Sequence, residues 1–223
     1  MTQQFERMFS APTPHPNGLQ GTREGLWIAD QDGGHAFLVD PESGSTVRSF
    51  GTGAGKTSGV AFGHSALWMC SNGMPVTRVP GPHDTDRTRI VKTDTRTGAM
   101  LAQIRVPADS DVHGLEWTPE GLWLTTLDQQ ALTVVDSKSF TPLRSFPVPM
   151  ERAHGLAWDG RSLWCAFTTE RVLVRFNTLE GSEVGRIALG CESFEPHGLT
   201  IWGQRLWISD ASTGEVYRGR DPV

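Results

Sequence analysis

Three histidines, His113, His154 and His197, each stand directly before a Gly-Leu pair, with 41 and 43 residues between successive members. Neutral imidazole binds Zn, Fe, Cu or Ni. Three imidazoles around one ion, nitrogens about 2.0–2.1 Å from it and one position left open, make a catalytic geometry. On that reading the cofactor is a divalent metal: Zn, Mg, Mn or Fe. Without metal, the same side chains take up and return protons near neutrality. The structural alternative is that each histidine holds its own segment through hydrogen bonds. Against it, the matching places elsewhere in the chain hold Asn17 and Ser58, so the position itself does not demand histidine. His15, two residues before Asn17, is placed to lean toward the same spot.

Two aspartates complete the catalytic candidates. Asp30 and Asp210 each lie three residues after the tryptophan of a Leu-Trp pair, where other units have Ser71, Thr126 and Phe167. A carboxylate there would orient a histidine or share in acid–base work, and it would equally serve to cap a turn. The substrate-binding candidates are Asn17, Ser58 and His15, with Arg78 and His83 from a long loop and Glu195 from the segment before His197. Glu192 lies in that same segment.

These residues are positioned by a repeat. Gly18-Leu19 precedes Leu26-Trp27, Gly59-Val60 precedes Leu67-Trp68, and Gly114-Leu115 precedes Leu122-Trp123. Gly155-Leu156 precedes Leu163-Trp164, and Gly198-Leu199 precedes Leu206-Trp207. The glycines are 41, 55, 41 and 43 residues apart. A third apolar segment follows and ends in a turn opened by Asp or Asn: Asp40 to Gly44, Asp94 to Gly98 and Asn177 to Gly181 are closed by glycine, and Val134-Val135-Asp136 is the corresponding segment of unit three. A fourth segment follows that. Four short strands in about 40 residues is the pattern of a propeller blade. The expected fold is all-β: a five-bladed β-propeller occupying residues 1–223 as one domain, with four antiparallel strands per blade.

Unit five ends before its fourth strand. Residues 4–9 supply the missing one, because Phe9 precedes Gly18 as Phe50 precedes Gly59, and pairing them closes the ring and removes sheet edges. Unit two is longer than its neighbours, 55 residues against 41, with the excess at residues 72–89. That insertion joins strands two and three and is expected on the histidine face as a lid or specificity loop.

Composition excludes several classes. The net charge of −5 offers no general attraction for nucleic acid or anionic membrane. No apolar run reaches the ~18 residues that a spanning helix needs. Residues 1–10 lack the apolar core of a signal peptide, and three widely spaced cysteines argue against a disulfide framework; both fit a cytoplasmic protein. Gly51 to Thr57 imitates a phosphate-binding loop, but Phe50 stands where its first glycine belongs and no helix follows, so no nucleotide cofactor is expected. The oligomeric state is not legible.

The unit His154-Gly155-Leu156-Ala157-Trp158, with Ser162-Leu163-Trp164, Val174-Arg175-Phe176-Asn177 and Gly181, resembles two propeller groups. One is the virginiamycin B (streptogramin) lyase group, whose blades open with Pro-His-Gly-Ile; Pro196-His197-Gly198-Leu199 is the closest match. The other is the five-bladed plant-type glutaminyl cyclotransferase group, with Gln or Glu before Gly-Leu. The first resemblance implies metal-dependent, non-hydrolytic ring opening with a channel histidine as acid or base. The second implies acid–base catalysis by a channel glutamate. This chain departs from both, having five blades where the lyases have seven, and histidine where the cyclotransferases have Gln or Glu. The expectation is a small-molecule enzyme of lyase, isomerase or hydrolase type, and the alternative is a non-enzymatic propeller that binds a ligand or protein.

Overall fold

The computed structural model describes residues 4–106, 109–190 and 194–223. They form twenty strands in five antiparallel sheets of four. The chain begins with β1 (Phe5–Ser10). Blade one is β2 (Pro16–Thr22), β3 (Gly25–Asp30), β4 (His35–Val39) and β5 (Thr46–Gly51). Blade two is β6 (Val60–Gly63), β7 (Ala66–Ser71), β8 (Arg89–Asp94) and β9 (Met100–Arg105). Blade three is β10 (Val112–Trp117), β11 (Leu122–Thr126), β12 (Ala131–Val135) and β13 (Pro142–Pro147). Blade four is β14 (Ala153–Trp158), β15 (Leu163–Phe167), β16 (Val172–Phe176) and β17 (Glu183–Ala188). Blade five is β18 (Gly198–Trp202), β19 (Arg205–Asp210) and β20 (Glu215–Pro222), completed by β1. Among the described residues no helix is long and apolar enough to cross a membrane.

The innermost strands explain the repeated glycine. A Cβ on Gly114 would lie 1.9 Å from the His154 carbonyl oxygen, one on Gly155 2.3 Å from that of His197, and one on Gly59 2.3 Å from that of His113. Gly18 and Gly198 face the next blade's backbone at 2.9 and 2.6 Å. Five blades leave so narrow an axis that adjacent inner strands meet backbone to backbone, and only glycine allows it. The position two residues further on bridges the same junctions. Gln20 Oε1 accepts the Phe62 N–H at 3.2 Å, and Thr200 Oγ1 accepts that of Gly21 at 2.8 Å. Glu116 accepts the backbone N–H groups of Trp117 and Trp158. It is buried without a cation, and desolvation pushes its carboxyl up to about 8.

The core is five clusters, one per blade junction, each holding one repeated tryptophan: Trp27, Trp68, Trp123, Trp164 and Trp207, none more than 6% exposed. An aromatic on the fourth strand packs on the turn glycine of the next blade: Phe9 on Gly44, Phe50 on Gly98, Phe146 on Gly181. These glycines have φ of 71°, 74° and 70°, so both conformation and space require them. Blade three breaks the rule in a compensating way. Its turn has Phe140 at φ 57°, and that ring, 5.7 Å from Trp68, fills the junction from the turn side. Outer strand β9 of blade two accordingly has no phenylalanine.

Closure follows the register expected from Phe9. β1 pairs antiparallel with β20, Phe5 opposite Gly219 and Ser10 opposite Glu215, one residue along from the expected 4–9. Arg218 ties the seam by bonding Glu6 at 2.8 Å and Glu42 at 3.2 Å while lying over Trp207. Cys70 and Cys165 are buried free thiols. Cys191 lies outside the described residues.

Candidate functional site

His113, His154 and His197 open the inner strands of blades three, four and five at one end of the channel, its upper face. The strand ladder shifts register between Val112 and Leu115 and between Ala153 and Leu156. Such a bulge re-aims the residue before the glycine. The rings meet edge to face, centroids 4.5 Å apart for His113–His154 and 5.0 Å for His154–His197. His113 Nδ1 and His154 Nε2 are 2.8 Å apart and share one hydrogen bond, whose donor is set by the tautomer. His154 is buried and its Nδ1 has no partner among the described residues. His197 Nδ1 lies 3.1 Å from the Glu195 carbonyl oxygen and 3.3 Å from the Ala211 amide nitrogen, so it is donor to the first or acceptor from the second.

Burial dominates the electrostatics. It lowers His113 to about 4, against the pull of Asp111; the nearby Arg152 lowers it further. His154 is held well below its ordinary value by burial and by His113, His197 and Arg152. Burial lowers His197 too, offset in part by the Glu195 carbonyl and Asp210. All three rings are neutral at pH 7, and a neutral imidazole is a proton acceptor.

The other candidates divide. Asn17 and Ser58 complete the ring and are buried. Ser58 donates to the Val112 carbonyl at 2.8 Å and accepts from Asn72 at 2.6 Å. Glu195 reaches the rim beside His197, its carboxylate accepting from Ser212 and 3.9 Å from Arg171. His15 does not join the ring; its Nδ1 lies 2.6 Å from the Asp32 carboxylate in its own blade.

Asp30 and Asp210 do not contact the ring histidines through any hydrogen bond among the described residues. Asp30 accepts from Thr13 and from the amides of Asp32 and Gly33, and Asp210 from the amides of Glu195, Ser212 and Thr213. Both are turn caps, a job any strand-end aspartate near free N–H groups tends to take. Asp210 still acts on His197 through its charge.

The 72–88 segment joins β7 to β8, and its polar groups are engaged within it and by neighbouring strands and loops. Arg78 is clamped by Asp84 at 2.6 and 2.7 Å, and the His83 carbonyl is held by Gln103 on outer strand β9. Neither is brought to the histidines. Glu192 lies outside the described residues. Asn72 and Arg152, which do bear on the ring, were not legible as site residues. Asn72 acts through hydrogen bonds to Ser58 and the Val112 carbonyl, and Arg152 through its charge.

The side chains as placed do not fit a three-histidine metal centre. His113 Nδ1 and His154 Nε2 point at each other across a shared proton, whereas two ligands must both point at the ion. Among the described residues no group of three His, Cys, Asp or Glu is arranged to hold one. Below the ring, Asn17, Ser58 and the glycines enclose a void of about 10 Å³, room for roughly one water. A ligand of the histidines therefore approaches from the upper face.

No family model matches the chain, and no curated protein is similar to it in sequence. Solved structures are similar to it in shape. Glutaminyl cyclase of Myxococcus xanthus superposes with a TM-score of 0.73 at 14% identity, covering 100% of this chain and 98% of that one. The chain is a five-bladed propeller of that shape. A streptogramin B lyase gives a TM-score of 0.56 at 15% identity, covering 97% of each chain. A catalytically inactive virginiamycin B lyase from Staphylococcus aureus, solved with quinupristin, gives 0.57 at 16%, covering 91% of this chain and 65% of that one. At these identities the shared property is the fold.

Proposed function

We propose that this chain is an enzyme that moves a proton on a small-molecule substrate at the upper face, in a lyase, isomerase or hydrolase reaction. The observation that carries the reading is the 2.8 Å contact between His113 and His154. His113 is the less buried of the two. Its Nδ1 is engaged, which leaves Nε2 for a substrate. With the shared proton on His113 Nδ1, Nε2 carries a lone pair; it takes a proton from the substrate, making His113 the imidazolium, and returns that same proton from Nε2–H later in the reaction. The contact with His154 thus presents Nε2 as base and then as acid. His197 and Glu195 line the neighbouring rim, and the structural neighbours named as a cyclase and lyases are enzymes.

The test is to incubate wild-type protein, His113→Ala and His113→Gln with quinupristin-type cyclic peptides, N-terminal glutaminyl peptides and lactones, with products read by mass spectrometry. Turnover by the wild type that survives EDTA and falls at least about a hundredfold in both variants supports metal-free proton transfer. Turnover that survives in the variants refutes the role of His113. Binding of a test compound that is recovered unchanged favours the non-enzymatic reading.

A further inference from the structure

The lower end of the channel is built differently. Three residues after each ring glycine stand Gly21, Phe62, Trp117, Trp158 and Ile201. Four of these are bulky and apolar, and blade one alone has glycine. At that gap a cavity of about 760 Å³ runs from Ile201 and Trp202 across Gly21 to Phe62. Small-molecule sites are typically about 300–1,000 Å³.

Its walls are preset. The Trp202 indole donates to the Thr22 carbonyl at 2.8 Å and meets Trp207 edge-on with centroids 6.0 Å apart. A Cβ on Gly21 would sit 3.0 Å from both Trp202 Cβ and the Ile201 carbonyl oxygen, so an ordinary side chain there would push Trp202 aside. Phe62 is 38% exposed, an unusual state for a phenylalanine beside a channel.

The rim adds charge. Glu24 lies 3.6 Å from Arg48, which also donates to the Thr95 carbonyl, so that carboxylate is already matched. Arg23, exposed on the same rim, makes no ion pair among the described residues. Two aromatic side chains and one guanidinium that makes no ion pair among the described residues line the same cleft, a set that suits an apolar ring carrying a carboxylate.

We propose that this lower cleft, bounded by Trp202, Phe62 and Arg23, is a binding site for small aromatic carboxylates. It lies at the opposite end of the channel from His113, and it does not rest on the proton-transfer reading.

Naphthalene-2-carboxylate is the probe, with uncharged 2-naphthamide as its control. The Trp202 indole N–H resonance, assigned through Trp202→Phe, is followed in the intact protein. The expected result is a saturable shift with the carboxylate. Binding should be about tenfold weaker for the amide and for Arg23→Gln, and weaker again for Phe62→Ala. Both substituted side chains are exposed, and circular dichroism confirms their folding. The proposal is overturned by an unmoved Trp202 N–H at millimolar probe. Equal binding of amide and carboxylate, or Arg23→Gln or Phe62→Ala binding like the wild type, overturns it as well.

Discussion

Replacing Gly114 by alanine tests whether backbone contact between blades sets the geometry of the histidines. The new Cβ would sit 1.9 Å from the His154 carbonyl oxygen and 3.2 Å from Leu156 Cγ. A carbon–oxygen contact relaxes at about 3.3 Å, so blades three and four must part by roughly 1.4 Å at the channel. Gly114 does not need a positive φ, so alanine is not excluded by backbone conformation and the cost is steric. Overpacking costs about 1–3 kcal/mol, toward the upper end where the opposing atom is backbone. The same displacement takes His113 Nδ1 and His154 Nε2 from 2.8 Å out of hydrogen-bond range, adding about 1 kcal/mol. The sum, roughly 3–4 kcal/mol, lowers Tm by roughly 10 °C in a chain of this size.

Gly51→Ala is the control, because a Cβ there meets nothing nearer than His35 Nε2 at 3.8 Å. It should change stability by less than about 0.5 kcal/mol. Urea denaturation measures both variants, and nitrogen-detected NMR of the imidazoles reports whether the His113–His154 hydrogen bond persists. If Gly114→Ala is as stable as Gly51→Ala with that bond intact, the ring glycine is not what holds the histidines together, and the reasoning fails.

Phe9→Ala should cost about 3–5 kcal/mol, because the ring is 7% exposed against Gly44 and anchors the strand that closes the propeller; denaturant unfolding reads it. His113 is neutral in the fold down to about pH 4, while in the unfolded chain it takes a proton below 6.5. Its contribution is therefore complete above pH 6.5 and is lost toward pH 4, up to about 3 kcal/mol, and His113→Gln should flatten that part of the stability–pH curve. Glu116 has the opposite sign, since its carboxyl is raised to about 8 from 4.5. The fold holds the proton, stability falls as pH rises from 4.5 to 8, and Glu116→Gln should be more stable than wild type at pH 9 but not at pH 5.

The blades were legible because their signals are local and repeated. Gly-Leu marks an inner strand, Leu-Trp the next, and an Asp turn with glycine the one after. Closure by the N-terminal strand was legible through the missing fourth strand of unit five and the placement of Phe9. The ring was legible because its members differ in type at one repeated position. Contacts with no repeated counterpart were not. Asp30 and Asp210 share a spacing that suits a carboxylate aimed at the ring, yet nearer amides capture them first. Arg78 reads as a free cation until Asp84, six residues on, closes upon it. Gly21 carries no repeated signal, and only the placement of Trp202 and Phe62 reveals the cleft that it opens.

Blade two shows what folding alone asks of the ring position. There a hydroxyl suffices: Ser58 donates to Val112, accepts from Asn72, and leaves its own oxygen satisfied. Blades three to five place imidazoles in the same setting, at an energetic cost. Among the described residues His154 Nδ1 is buried without a partner, as are Asn17 Oδ1 in blade one and Asn72 Oδ1 beside Ser58 in blade two, an omission worth about 1–3 kcal/mol each. His113 loses its ordinary basicity to burial. The inner strands approach so closely that histidines before adjacent glycines are brought into contact, so the contact itself is a consequence of the fold. The choice of histidine is not. Under the proposed function the choice of histidine serves proton transfer, and Nε2 of His113, like that of His197, has no hydrogen-bond partner among the described residues.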